Sequence, residues 1–440
     1  MAGAGTTVRG LLARRDFRRL LGTRLLSQVG DGVFQAALAG TVLFNPQRAA
    51  DPVDVAAGFA VLLLPYSFVG PFAGVWLDRW SRRQVLLRAN VLRAALVAAV
   101  AALVLTGVQG PAFYLAGLAV FSVNRFVLSA LSAGLPHTTD ERALVTANAL
   151  STTAGAVATV VGGGAALALL QLTGSDDAGY AAVALSAALP YLAAAAVVAG
   201  FTRAYLGPDH VARTARLPVG EVLSGMVAGA RHAWAHPPVA AALTAIGLHR
   251  VWFGLLTLMT LLLYRNTFAD EGGVFPGGLV GLGQVAAAIA AGTLTGAALT
   301  PPVVRRIGTV PWIGALLAAG GLVQAALGLL LQPPAIVLAG FVLGLLGQGV
   351  KVCVDATLQE SIDDDHRGRV FSVYDTLVNI GFVAALVAGA FTLPESGVSR
   401  PALAVVGAGY LATALLHARM TRRGAGPVRD RGRRAPGRAR

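Results

Sequence analysis

Twelve apolar stretches, each near the length that crosses a bilayer, constrain this chain more than any other feature. A membrane helix needs about 20 mostly apolar residues. The stretches fall at 18–43, 54–77, 84–107, 111–134, 144–171, 181–202, 238–263, 277–300, 310–331, 334–357, 370–393 and 401–419. Only 13% of the 440 residues are charged, against about 25% in soluble domains. The expected fold class is therefore an all-α membrane protein.

The net charge of +14 could suggest nucleic-acid binding, but the arginines lie in loops and tails between the apolar runs. They cluster at Arg9 to Arg19, Arg79 to Arg88, Arg203 to Arg216, Arg305–Arg306, Arg367–Arg369 and beyond Arg419, while the alternate loops hold Arg48, Arg265 and Arg400. Basic residues favour the cytoplasmic side, so both termini are expected in the cytoplasm of a bacterial inner membrane, with lipid and not nucleic acid as the partner. Cys353 stands alone, which excludes an intrachain disulfide and points to core packing.

The longest loop, Arg203 to Pro238, divides the spans six and six. The expected organisation is a bundle at 1–202, a cytoplasmic linker at 203–237, a second bundle at 238–420 and a basic, disordered tail at 421–440. In the linker, Val219, Val222, Leu223, Met226, Val227, Ala230 and Trp234 recur at helical spacing after Pro218. An amphipathic helix on the inner membrane face, or a simple tether, would carry that pattern. The halves echo each other. Gly74 and Gly296 lie 222 residues apart, with Thr300 standing where the first copy has Asp78, and Asp140-Glu141-Arg142 is echoed by Asp365-His366-Arg367.

At the end of the second span, Gly70 and Gly74 precede Asp78-Arg79-Trp80-Ser81-Arg82-Arg83. This Gly-x-x-x-Asp-Arg-x-x-Arg-Arg spacing resembles the signature between helices 2 and 3 of the major facilitator superfamily (MFS), with Ser81 where a second glycine is usual. Ser27-Gln-Val-Gly30-Asp31-Gly32, Leu64-Pro65-Tyr66 leading into Gly70-Pro71, and Glu141-Arg-Ala-Leu-Val-Thr-Ala147-Asn148 look like its enterobactin-exporter and macrolide-efflux branch. The resemblance implies the MFS fold, twelve transmembrane helices in two pseudo-symmetric six-helix bundles, and substrate binding between them. It also implies proton-coupled export (antiport) of a small organic molecule such as a drug, siderophore or natural product. Uptake, or lipid flipping on the same scaffold, is the alternative. Gly74, Asp78, Arg79, Arg82 and Arg83 would belong to a cytoplasmic gate, in which the aspartate caps the start of the eleventh helix near Arg369–Phe371. In the fifth span, Gly155, Gly162, Gly163 and Gly164 match the glycine-rich antiporter motif only loosely, and close helix packing explains them more simply.

Charges inside the spans are the best functional clue, because one at the bilayer centre costs at least about 2.5–3.5 kcal/mol. Asp31 lies halfway along the first span, with Gly30 and Gly32 expected to open space beside it. It is the candidate proton carrier, or else half of a fixed ion pair such as one with Arg125. Arg125 stays charged at all relevant pH; it can tune a carboxylate, bind an anionic substrate or snorkel inward. Arg24 and Arg93, nearer the cytoplasmic ends, are expected to snorkel. His249 and Arg250 lie midway along the seventh span and are candidate cavity residues with Asp31 and Arg125; His249 would also serve as an ordinary packing residue. Lys351 and Asp355 lie four apart, as do Asp375 and Asn379, and Lys351, Asp355 and Asp375 are candidates for the gate or for solvated helix ends. No GxxxxGK[ST] loop and no His-x-x-Glu-His or Gly-x-Ser-x-Gly spacing occurs, so neither an ATPase nor a membrane-embedded enzyme is expected. No cofactor or metal is called for, the partners are the small-molecule substrate and protons, and the chain is expected to act as a monomer.

Overall fold

A computed structural model describes residues 8–43, a few positions between 52 and 61, and residues 80–108, 110–140, 143–202, 204–207, 219–268 and 273–424. Gly74, Asp78 and Arg79, with most of the second span, residues 208–218 of the linker and the tail beyond Gly424, lie outside them. So do Glu141 and Arg142.

The described residues are helical and contain no strand. A short α1 (Val8–Ala13) precedes α2 (Arg15–Leu43), α3 (Arg82–Leu105), α4 (Pro111–Gly134), α5 (Leu144–Thr173), α6 (Asp177–Ser186) and α7 (Ala188–Ala199). The linker forms α8 (Val219–Ala235). Then come α9 (Pro237–Asn266), α10 (Gly278–Ile307), α11 (Thr309–Ala326), α12 (Pro333–Ser361), α13 (Asp364–Thr392) and α14 (Arg400–Gly424). Ten segments of the described chain are long and apolar enough to cross a membrane. The first span is the charge-rich α2, so every expected span except the second has its helix.

The helix ends follow local chemistry. Pro111 and Pro333 open α4 and α12, where a missing N–H costs nothing. Asp176 caps α6, its Oδ1 accepting from the Gly179 N–H at 2.8 Å. The sixth span is split between α6 and α7 at Ala187. Pro190 follows, and its ring cannot share space with the Ser186 carbonyl four residues back. Gly308, at φ 87°, makes the turn from α10 to α11.

The contacts group the chain into two compact units. One contains Met1–Met226, Phe253–Gly283 and Ser372–Ser399; the other contains Val227–Trp252, Gln284–Phe371 and Arg400–Arg440. In the first, Leu11, Phe17, Leu86, Leu131, Ala147 and Val198 form a core joining α1, α2, α3, α4, α5 and α7. Outside the spans Arg14 chelates the Asp140 carboxylate (Nη1 to Oδ1 3.0 Å), and that hydrogen bonding holds Asp140 below the usual carboxylate range. At the far end of α2, Arg265 of α9 donates to the Val42 carbonyl at 3.0 Å.

Glycines set the closest helix contacts. A Cβ on Gly32 would stand 1.9 Å from the Thr159 carbonyl oxygen, and one on Gly162 2.2 Å from that of Val29, so α2 and α5 touch backbone to backbone. The second unit repeats the device between α10 and α12. There a Cβ on Gly292 would meet the Phe341 carbonyl at 1.9 Å, and one on Gly296 that of Leu345 at 2.4 Å. Close packing therefore accounts for Gly162 and Gly296. The linker helix α8 seats Gly229 on Arg369 at the start of α13 and leaves Val227 and Trp234 exposed.

Candidate functional site

In the first unit, Ser27 and Asp31 lie one turn apart on α2, and Asn90 and Arg93 three apart on α3, so each pair shares a face. Those faces meet. Arg93 Nη1 donates to Asp31 Oδ1 at 2.7 Å and to Asn124 Oδ1 of α4 at 2.9 Å. Its Nη2 donates to Ser27 Oγ and Asn90 Oδ1, both at 2.5 Å. Asn90 is itself oriented by donating from Nδ2 to the Leu86 carbonyl at 2.7 Å. From α7, Tyr191 Oη donates to Asp31 Oδ1 at 2.9 Å, and the Arg93 guanidinium lies 4.1 Å from the Tyr191 ring centroid. Arg93 is 0% and Asp31 3% exposed. Asp31 is the only aspartate or glutamate that is buried among the described residues.

This geometry corrects three expectations. The partner of Asp31 is Arg93, not Arg125. Arg125 follows Asn124 on α4, and one helical residue turns a side chain by about 100°. Asn124 faces the pair, so Arg125, half-buried, is directed elsewhere. Arg93 does not snorkel; a carboxylate, three polar oxygens and an aromatic face make an interior position tolerable. Gly30 and Gly32 do not open space beside Asp31. A Cβ on Gly30 would lie 2.6 Å from the Tyr191 ring, and Gly32 admits the α5 backbone.

A second polar cluster joins α2 to α5 nearer the N-terminal end of α2. Arg24, 7% exposed, donates from Nε to Gln28 Oε1 and from Nη1 to Ser151 Oγ, each at 3.1 Å. Gln28 Nε2 reaches Thr159 Oγ1 at 3.5 Å. Gly155 leaves the room for this, since a Cβ there would lie 1.7 Å from Gln28 Oε1. Arg24 is thus also buried, against the expectation of snorkelling.

In the second unit His249, 3% exposed, shares a hydrogen bond through Nδ1 with Tyr410 Oη at 3.0 Å. One turn on, Trp252 Nε1 donates to Thr413 Oγ1 at 3.0 Å, so α9 and α14 are laced by polar contacts. This is what a packing histidine does. Arg250 beside it is half-buried. Lys351 and Asp355 pair at 2.5 Å on α12, both partly exposed. Asn379, in the first unit, donates to the backbone carbonyl of Asp375 at 2.9 Å. Thr300, where the first copy has Asp78, is buried and accepts from Trp312 Nε1 at 3.2 Å. Arg82 donates to the carbonyls of Ala133 and Leu206 at 3.0 and 3.2 Å, and Arg83 to that of Ala199 at 2.8 Å. Cations there complement the ends of α4 and α7.

A family model described as Major Facilitator Superfamily matches residues 20–386. The chain belongs to that superfamily. This MFS protein is 40% identical over 415 residues to MFS-type transporters of Mycobacterium tuberculosis and Mycobacterium bovis that carry the label uncharacterized, covering 93% of this chain and 92% of each relative. Among solved structures it resembles the peptide transporter POT in complex with sulfate (TM-score 0.68, 12% identity, 96% and 97% of the two chains) and the nucleoside transporter NupG (TM-score 0.64, 14% identity, 93% and 98%). Such distant likeness establishes the MFS fold. The protein is a multi-pass membrane transporter of the secondary type and not an enzyme.

Of the pair's surroundings, sequence reasoning missed Tyr191, Asn90 and the part played by Ser27. Their one signal was spacing, Ser27 with Asp31 and Asn90 with Arg93; Tyr191, beside Pro190, offered none.

Proposed function

We propose that this MFS transporter is a proton-coupled exporter of a small organic molecule, working by alternating access in a bacterial cytoplasmic membrane with both termini inside. The observation that carries the reading is the Asp31–Arg93 pair, buried midway along α2. As an ion pair it brings no net charge into the span. A proton added to Asp31 cancels the carboxylate but not the guanidinium, which stays charged. The pair then becomes a lone buried cation held by neutral oxygens. That cost differs between the two protonation states, which is what a conformational equilibrium needs in order to respond to a proton. One proton moving down 100 mV releases about 2.3 kcal/mol.

Export, as against uptake, is supported by the sequence likeness of Ser27 to Gly32 and the stretches near Pro65 and Ala147 to the enterobactin-exporter and macrolide-efflux branch. The likeness of Gly74–Arg83 to the superfamily signature supports gating by that turn, and the positions of Lys351, Asp355 and Asp375 on their helices make them further gate residues. Asp31→Asn is the test, in inverted vesicles energised by a proton gradient and offered a panel of macrolides and siderophores. The variant should lose gradient-driven transport while still binding the solute that the wild type moves. Full gradient-driven transport by Asp31→Asn would remove this residue from coupling.

A further inference from the structure

The buried charges described in the first unit do not balance. Among the described residues, two guanidiniums, Arg24 and Arg93, and one carboxylate, Asp31, are buried. Asp31 is committed to Arg93. Arg24 therefore sits within the first span with no acid facing it among the described residues. Its hydrogen bonds go to the neutral oxygens of Gln28 and Ser151. Its Nη2 group donates to none of the described residues. A guanidinium cannot escape this situation by losing its proton. An anion from outside the chain would compensate it.

We infer that Arg24 is the recognition point for an anionic group, a carboxylate or phosphate, on the transported molecule. The inference deepens the export reading, on which it rests, by giving the substrate's charge class. The site is built for this. Gln28 and Ser151 take one N–H each from Nε and Nη1, which fixes the plane of the guanidinium and leaves its outer edge as a paired donor. Gly155 keeps α5 from filling the space beside Arg24, since a Cβ there would approach Nε at 3.0 Å. Arg93 provides the contrast. It has the same charge, but its own carboxylate and three oxygens occupy both Nη groups and its Nε is buried, so it presents no donor to a ligand.

The experiment is thermal unfolding of the full-length protein in neutral detergent, titrated separately with benzoate, inorganic phosphate, the cation tetraphenylphosphonium and the lipid phosphatidylglycerol. Benzoate or phosphate should raise the midpoint in the wild type, and tetraphenylphosphonium should not. Arg24→Gln should weaken half-saturation by about tenfold or more. Ser151→Asp, which places a carboxylate against Arg24, should raise the midpoint in anion-free buffer and abolish the anion effect; it keeps the test valid if Arg24→Gln does not fold. A midpoint that neither anion moves, or moves equally in all three proteins, overturns the assignment. So does stabilisation by phosphatidylglycerol with benzoate and phosphate inert, which would make the site a lipid contact. The readout needs no proton gradient. Failure here with coupled transport lost in Asp31→Asn would discard the anion site alone, and the reverse result would discard the coupling scheme alone.

Discussion

Asp31 and Arg93 depend on each other unequally. Removing one partner of a buried ion pair costs about 3–5 kcal/mol, because the survivor is left charged and unpaired. Asp31 has a way out when Arg93 is replaced, since a carboxyl group can take up a proton. Arg93 has none when Asp31 is replaced. Asp31→Asn should therefore lower the unfolding midpoint in detergent more than Arg93→Gln does, and the double variant should lose less than the two single losses combined. Strictly additive losses would mean that the two side chains do not support each other, whatever their 2.7 Å separation. Tyr191→Phe should be much milder, about 1 kcal/mol, because the ring over Arg93 remains and only the hydroxyl bond to Asp31 is lost.

Helices α2 and α5 are held at backbone distance by glycines that the sequence alone does not rank. Gly32, Gly162 and Gly164 all stand within helices and look equivalent on paper. Their surroundings differ. A Cβ on Gly32 would overlap the Thr159 carbonyl, while one on Gly164 meets nothing within 4 Å. Gly32→Ala must push the helices apart and should cost at least about 1–3 kcal/mol, as overpacking does. Gly164→Ala should be neutral or gain about 0.5–1 kcal/mol, because alanine loses less backbone freedom on forming a helix. Paired melting curves of the two variants would check this, and equal behaviour would refute the close approach. The Gly292–Gly296 contacts with α12 predict the same loss on Gly292→Ala.

For the molecule as a whole, orientation is what converts these contacts into a direction of transport. From the arginine bias we propose that the termini, the basic turn at Arg82–Arg83 and the linker helix α8 lie on the cytoplasmic side. A cysteine at Gly220, exposed on α8, introduced with Cys353→Ala to remove the one native thiol, tests this directly. A membrane-impermeant maleimide should label Gly220→Cys in inverted vesicles and leave it untouched in intact cells. Labelling in intact cells would invert the topology and with it the sense of transport.

By itself the sequence determined the helices and the family, and it singled out Asp31 as a charge inside a span. Each of these rests on local information: runs of apolar residues long enough to span, a short motif, and a charge where the medium penalises it. The interior of each span, with its Ser27–Asp31 and Asn90–Arg93 spacings, also fixed which residues share a face. Which faces meet was decided only by the tertiary structure. Arg93 and Arg125 are both arginines within apolar helices, and nothing local distinguishes the one that reaches Asp31. The choice follows from how α3 and α4 are rotated against α2, and that rotation is set by many weak packing contacts, among them the glycine seam with α5. Arg24 shows the same limit. Depth along one helix suggested a side chain reaching for water, whereas the neighbouring helix supplied Ser151 and the space above Gly155, so the charge stayed inside.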